Sequence, residues 1–221
     1  MPATNAPAGM SRTGAVPAMT VANFVAKTTD PVELMNAGTE LLGANRFNEA
    51  LACYRRALEL KPDDEEAHFN VGCALSKLGR TDEAIQQYEA ALKLLPEYLE
   101  AHNNLGNALV MQKKYDAAAA QFSAALKITP EHPTAHNNLG KVLAMQGRPK
   151  EAIQHFFEAV KANPDYLEAH FNMASAYFTL GKNAEAAEEF ETVLRLEPGF
   201  APAVQGLARV RKEQGKQRGA K

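Results

Sequence analysis

The sequence predicts an all-α protein, a solenoid of five helix-turn-helix units closed by a C-terminal capping helix. Three observations carry that expectation. Pro62, Pro96, Pro130, Pro164 and Pro198 stand 34 residues apart. In a frame of 34 that closes two residues after each Pro, the eighth place is Gly38, Gly72, Gly106, Gly140 and Ala174. The twentieth place is Ala50, Ala84, Ala118, Ala152 and Ala186, and four residues later stand Tyr54, Tyr88, Phe122, Phe156 and Phe190. A fixed period of this length marks supersecondary units that bury their apolar faces only by stacking.

Residues 1–30 precede the frame. The first 27 hold seven Ala and three Pro, with Arg12 and Lys27 the only charges, and read as a low-complexity, mobile segment. A secretory reading would run from Arg12 into Ala15–Ala26, but Pro17, Thr20 and Asn23 interrupt that stretch, so the expectation is cytoplasmic. Cys53 and Cys73 fit a reducing compartment as small buried residues.

The units are 31–64, 65–98, 99–132, 133–166 and 167–200. In each, apolar places recur at helical intervals, as in Leu105 and Leu109, then Ala118, Phe122, Ala125 and Leu126, which gives two amphipathic helices. Gly79, Gly147 and Gly181 fall between the two, where a helix end calls for positive φ, and Thr81 and Pro149 suit the start of the second helix. Small residues at the eighth, twentieth and twenty-seventh places let backbones approach, and the aromatic fills the remaining space. The Pro then ends the second helix. Residues 201–214 are read as the capping helix, with Val204, Leu207, Ala208 and Val210 inward and Gln205, Arg209 and Arg211 outward; 215–221 form a basic tail.

Composition narrows the partners. With 24 Lys+Arg against 26 Asp+Glu the net charge is −2, which gives no global attraction to nucleic acid or anionic membrane. Residues 209–221 carry +5, leaving −7 for the rest, so the tail leaves open only a weak peripheral contact with a membrane. Apolar runs are too short for a spanning helix. Neither a phosphate loop, a dinucleotide fingerprint nor paired His with Glu on one helix occurs, so no catalytic residue, cofactor or enzyme activity is expected. His68, His102, His136 and His170 share the fourth place, one per unit. Packed helices lie about 8–10 Å apart, too far for such a column to share a zinc ion, and packing is the expected role.

The run of an aromatic, Leu-Gly, Ala, three residues, Phe and a closing Pro in 34 residues resembles the tetratricopeptide repeat over residues 31–200. The fourth-place Trp of that family is missing, and Ala174 replaces Gly. The resemblance implies a right-handed α-α superhelix whose first helices line a concave groove with their second, fifth, sixth, ninth, twelfth and thirteenth places. The sixth place is Asn36, Asn70, Asn104, Asn138 and Asn172. An Asn amide donates and accepts together, so a column of them can pair with peptide groups of an extended chain; bonds between neighbouring helices, or inheritance from one duplicated unit, are the alternatives. The Asn column is similar to the repeat region of O-linked N-acetylglucosamine transferases, whose catalytic half has no counterpart here. Other inward candidates are Asn103, Asn107 and Asn137, Lys77 and Lys141, and the apolar Phe69, Met111, Met145, Phe171 and Phe178. The inward places where chaperone co-receptors of the family carry Lys and Arg hold Met35, Phe69, Asn103 or Glu, which disfavours a terminal-carboxylate clamp.

The function expected is a non-enzymatic scaffold binding protein or peptide segments in the groove. The alternatives are a self-assembling scaffold using end-to-groove contacts, hence a homo-oligomer, and an accessory or targeting subunit of an enzyme such as a glycosyltransferase.

Overall fold

The computed structural model describes residues 18–219, with side chains from 21 to 216. The mobile reading of residues 1–17 lies outside the described residues. Among these there are twelve helices and no strand, in two compact units that divide after Asp63.

The first unit holds α1 (Ala18–Lys27), α2 (Pro31–Gly43) and α3 (Phe47–Leu60). α1 lies inside the stretch read as low-complexity. It packs against α3, and Val21 is 5% exposed. The Asp30 side chain accepts from the Val32 amide at 2.9 Å, and Pro31 opens α2, a capped start with a preset φ. α2 and α3 form a hairpin turning at Asn45, whose φ is 60°.

The second unit holds α4 (Glu65–Lys77), α5 (Thr81–Leu94), α6 (Leu99–Met111), α7 (Tyr115–Ile128), α8 (Pro133–Met145), α9 (Pro149–Ala162), α10 (Leu167–Thr179), α11 (Asn183–Leu196) and α12 (Ala201–Gly219). Four hairpins follow one another, each second helix packs on the first helix of the next hairpin, and successive first helices touch. That contact puts α4, α6, α8 and α10 on the inner side of the stack. The expected solenoid is thus observed. Gly79, Gly147 and Gly181 adopt φ of +74°, +76° and +72°, as the turns require, and Lys113 takes the corresponding place at +59°.

The packing explains the period. A Cβ on Gly72, Gly106 or Gly140 would stand 2.6 Å from the ring of Tyr88, Phe122 or Phe156 respectively. Those rings are buried, as are the alanines of the twentieth and twenty-seventh places. In the last hairpin Ala174 takes the glycine's place, and the close approach to Phe190 is made instead by Gly206 of α12, where a Cβ would meet the ring at 2.5 Å. α12 buries Ala203, Leu207 and Val210, whereas Val204 is 49% exposed and Ala208 is exposed. The inward set expected from the sequence is corrected on those two residues. α12 packs on α11 and the end of α10, so only one stripe, spaced by four and three, has a surface to bury against.

Candidate functional site

The fourth-place histidines replace a large side chain with a pair of hydrogen bonds. Nε2 of His102, His136 and His170 donates to the carbonyl oxygen of Pro96, Pro130 and Pro164, at 2.9, 2.8 and 3.0 Å. Nδ1 meets the side chain at the twenty-third place of the partner helix: Gln121 at 2.7 Å, His155 at 3.0 Å and Glu189 at 2.6 Å. His68 meets Gln87 likewise at 2.8 Å. The rings of His102, His136 and His170 therefore each staple the preceding loop to the second helix. The side chain opposite sets its proton. Glu189 holds His170 protonated above its ordinary range, assisted by the Pro164 carbonyl against the effect of burial. Burial, and next the His136 ring, push His155 below its ordinary value. No group of three or more potential metal ligands exists among the described residues.

The inner face divides its residues between packing and solvent. Asn137 is fully buried; its Nδ2 donates to the Tyr166 hydroxyl at 3.3 Å and its Oδ1 accepts from Asn172 at 2.9 Å. Asn104 Nδ2 donates to Cys73 Sγ at 3.4 Å, reaching from α6 back to α4. Asn138 is 8% exposed, Asn70 is half-buried, and Asn36, in the first unit, is exposed on α2. Asn103 is 7% exposed; its Nδ2 donates to the Leu99 carbonyl at 3.3 Å while its Oδ1 is buried without a partner. The column thus contributes bonds between repeats as well as polar surface.

The apolar candidates divide in the same way. Phe69 packs on Tyr88 and Tyr98, with centroids 5.9 and 4.9 Å away, and Phe171 on Phe190 and Phe200 at 5.8 and 5.4 Å. Both rings pack within their own repeat, against its second helix and its closing residue. Phe178 is half-buried beneath the Arg209 guanidinium, 5.9 Å from the ring centre. Lys141 pairs with Glu168 of the next first helix at 2.7 Å. Met111, 67% exposed, and Met145, 53% exposed, stand at the same place of α6 and α8. Asn107 and Lys77 are exposed too.

Family models described as tetratricopeptide repeat match residues 71–133, 114–166 and 143–209, and one described as TPR repeat matches 38–79. The chain belongs to the tetratricopeptide-repeat family. Solved structures with the same fold include MamA from Desulfovibrio magneticus RS-1, 23% identical over 77% of this chain and 97% of that one, with a TM-score of 0.71. YrrB, described as a TPR protein with an unusual peptide-binding site, is 22% identical over 84% and 96%, at 0.68. PilF of Pseudomonas aeruginosa is 20% identical over 85% and 86%, at 0.76. No curated protein sequence matches the chain.

Several features of this repeat stack escape a sequence reading. Gln112 of one turn donates to Asp82 of the preceding repeat, and Gln146 repeats the bond to Asp116 at 2.7 Å. Both pairs are 30 apart, so the period itself held the signal. Tyr98 and Tyr166 close the packing behind Phe69 and Asn137, and burial, then Glu66 and Glu100, push the Tyr98 hydroxyl up to about 12. Burial likewise raises both thiols, that of Cys73 against hydrogen bonds from Tyr88 and Asn104. Neither is poised as a nucleophile, because the thiolate is the reactive form. No helix among the described residues is long and apolar enough to cross a membrane.

Proposed function

We propose that the chain is a non-enzymatic interaction scaffold that takes an extended segment of a partner protein along the inner face of its repeats. The supporting observation is the pair Met111 and Met145, exposed in register on adjacent first helices. The inner-face rings of Phe69 and Phe171 are taken up by packing inside their own repeats, yet these two flexible thioether side chains stand in solvent. Met on an open surface re-packs against varied apolar groups. Exposed Asn107 and the half-buried Asn70 and Asn104 supply amides within reach of such a segment's backbone.

The test compares partners captured from native lysate by the natural chain and by Met111→Glu/Met145→Glu. Both residues are exposed, so the double variant should keep its circular dichroism and melting temperature while losing its partner. The proposal fails if the same proteins are captured by both forms. It also fails if the chain recovers only itself, as concentration-dependent multimers in light scattering.

A further inference from the structure

Every repeat starts its first helix and ties it to the second at the same two places, so the side chains that do so can be compared directly. The residue before the first helix is Asp30, Asp64, Tyr98, His132 and Tyr166 in turn. The twenty-third place, opposite the fourth-place residue, is Cys53, Gln87, Gln121, His155 and Glu189. Histidine occupies both places in one repeat, 133–166, where His136 adds a third imidazole.

The contacts of these rings depend on nitrogen lone pairs. His132 caps α8, its Nδ1 accepting from the Ala135 amide at 3.2 Å. A protonated ring cannot accept, and its charge would face the positive end of the helix. His136 Nε2 donates to the Pro130 carbonyl at 2.8 Å, which leaves Nδ1 as the acceptor of the neutral ring, and that atom meets His155 Nδ1 at 3.0 Å. One proton added at His155 Nε2 preserves the bond between the rings. A second, on His136 Nδ1, sets two N–H groups against each other.

The flanking repeats present oxygen instead. The nitrogens of His102 lie on the Pro96 carbonyl and Gln121 Oε1, and those of His170 on the Pro164 carbonyl and Glu189, so a protonated ring keeps both bonds there. Around His155 the acting charges are Glu151 and Glu158 of its own helix, already paired with Arg148 and Lys161, and α8 presents His136. From α10 the uncharged Tyr177 lines the same cleft. Glu131 flanks His132 in the chain.

We infer that the α8–α9 hairpin is an acid-sensitive joint, which loosens on acidification while the hairpins on either side hold, so that Met145 of α8 loses its register with Met111 of α6. Opening frees the three rings to take up protons, and it is favoured by up to about tenfold per pH unit for each proton gained. The joint does not depend on what the methionines bind.

Hydrogen exchange of the full chain, expressed as protection factors at about pH 7.5 and about pH 5, tests it. At the lower pH α8 and α9 should lose roughly tenfold or more in protection, with α6, α7, α10 and α11 changing by less than about threefold. His132→Asp and His155→Gln install residues that the same places hold in other repeats, and the double variant should retain its protection at the lower pH. Equal loss in all hairpins, no loss in α8 and α9, or an undiminished loss in the double variant would overturn the inference. Ring-proton NMR of the natural chain gives a reading that needs no variant: His136 and His155 should titrate in two steps more than about one pH unit apart. Coincident titration of the two rings would overturn the inference as well.

Discussion

Gly106→Ala places a methyl group 2.6, 2.7 and 2.9 Å from three atoms of the Phe122 ring. All three distances are well inside van der Waals contact, and Phe122 is wholly buried, so the ring has no free space to enter. Replacing Gly by Ala within a helix gains about 1 kcal/mol through propensity. Overpacking of a filled core costs about 1–3 kcal/mol, and the immobility of the ring puts the cost in the upper part of that range. The net expectation is destabilisation of about 1–2 kcal/mol, a fall in melting temperature of roughly 2–8 °C for a chain of this size. Urea unfolding followed by circular dichroism gives the magnitude. Hydrogen exchange of α6 and α7 gives the place, since a repeat feels mainly its neighbours. Gly215→Ala is the reference, because a Cβ there meets nothing within 4 Å, and it should raise stability slightly. Trimming the ring should relieve the clash, so Gly106→Ala/Phe122→Leu is expected to be less destabilised than the sum of its parts by about 1 kcal/mol. A Gly106→Ala variant stabilised as much as Gly215→Ala, with additive behaviour in the double variant, would refute the account of why the eighth place is glycine.

Lys113 holds φ of +59° where three other turns have glycine, so Lys113→Gly should raise stability by about 0.5–1 kcal/mol in urea melts. Because His170 is held protonated above its ordinary value, the stability it confers is complete below the unfolded value near 6.5 and is lost as pH rises through the higher folded value. Glu189→Gln, which restores the amide found at positions 87 and 121, should flatten that alkaline-side decline in a series of melting temperatures. The sign is opposite for His155, kept neutral by burial and by His136. Its unfolded form takes up a proton first as pH falls below about 6.5, so stability present above that pH is lost on the acid side, and His155→Gln should reduce the loss. Asn172→Ala removes the donor to the buried Asn137 oxygen and should cost about 1–3 kcal/mol, measured by the same melts.

The repeat frame was legible because its causes are local and recur. Pro at each second-helix end, glycine under each ring and alanine between helices answer steric demands set by the chain's own period. Gly79, Gly147 and Gly181 were readable as turn residues for the same reason. What the sequence did not disclose depends on which of two neighbours claims a side chain. Phe69 and Phe171 look like groove anchors by spacing, but Tyr98 and Phe200 stand where they can take up the ring. Val204 and Ala208 fit an apolar stripe, yet among the described residues α12 has no further helix on that side to bury them against. The fourth-place histidines were readable as packing residues, whereas their bond to a proline carbonyl six residues earlier needed the loop geometry. The likeness of the Asn column to the glycosyltransferase repeats finds no support among the matching families and structures.

That column also shows how identity across repeats should be weighed. A residue repeated five times answers a demand that exists five times, and in a stack the demand present at every junction is the junction itself. Asn104 and Asn172 each reach the preceding first helix, and the next rung, on α12, is Gly206, where the Phe190 ring fills the place of a side chain. The column therefore ends where the packing changes. Departures from the repeat carry the opposite weight. Stacking alone does not require Phe157 in solvent, and the same backbone is built without it in the neighbouring repeats. Partner recognition that must distinguish one end of a regular array from the other has to use residues of this kind, because a surface identical in every repeat offers a ligand several equivalent registers and fixes none.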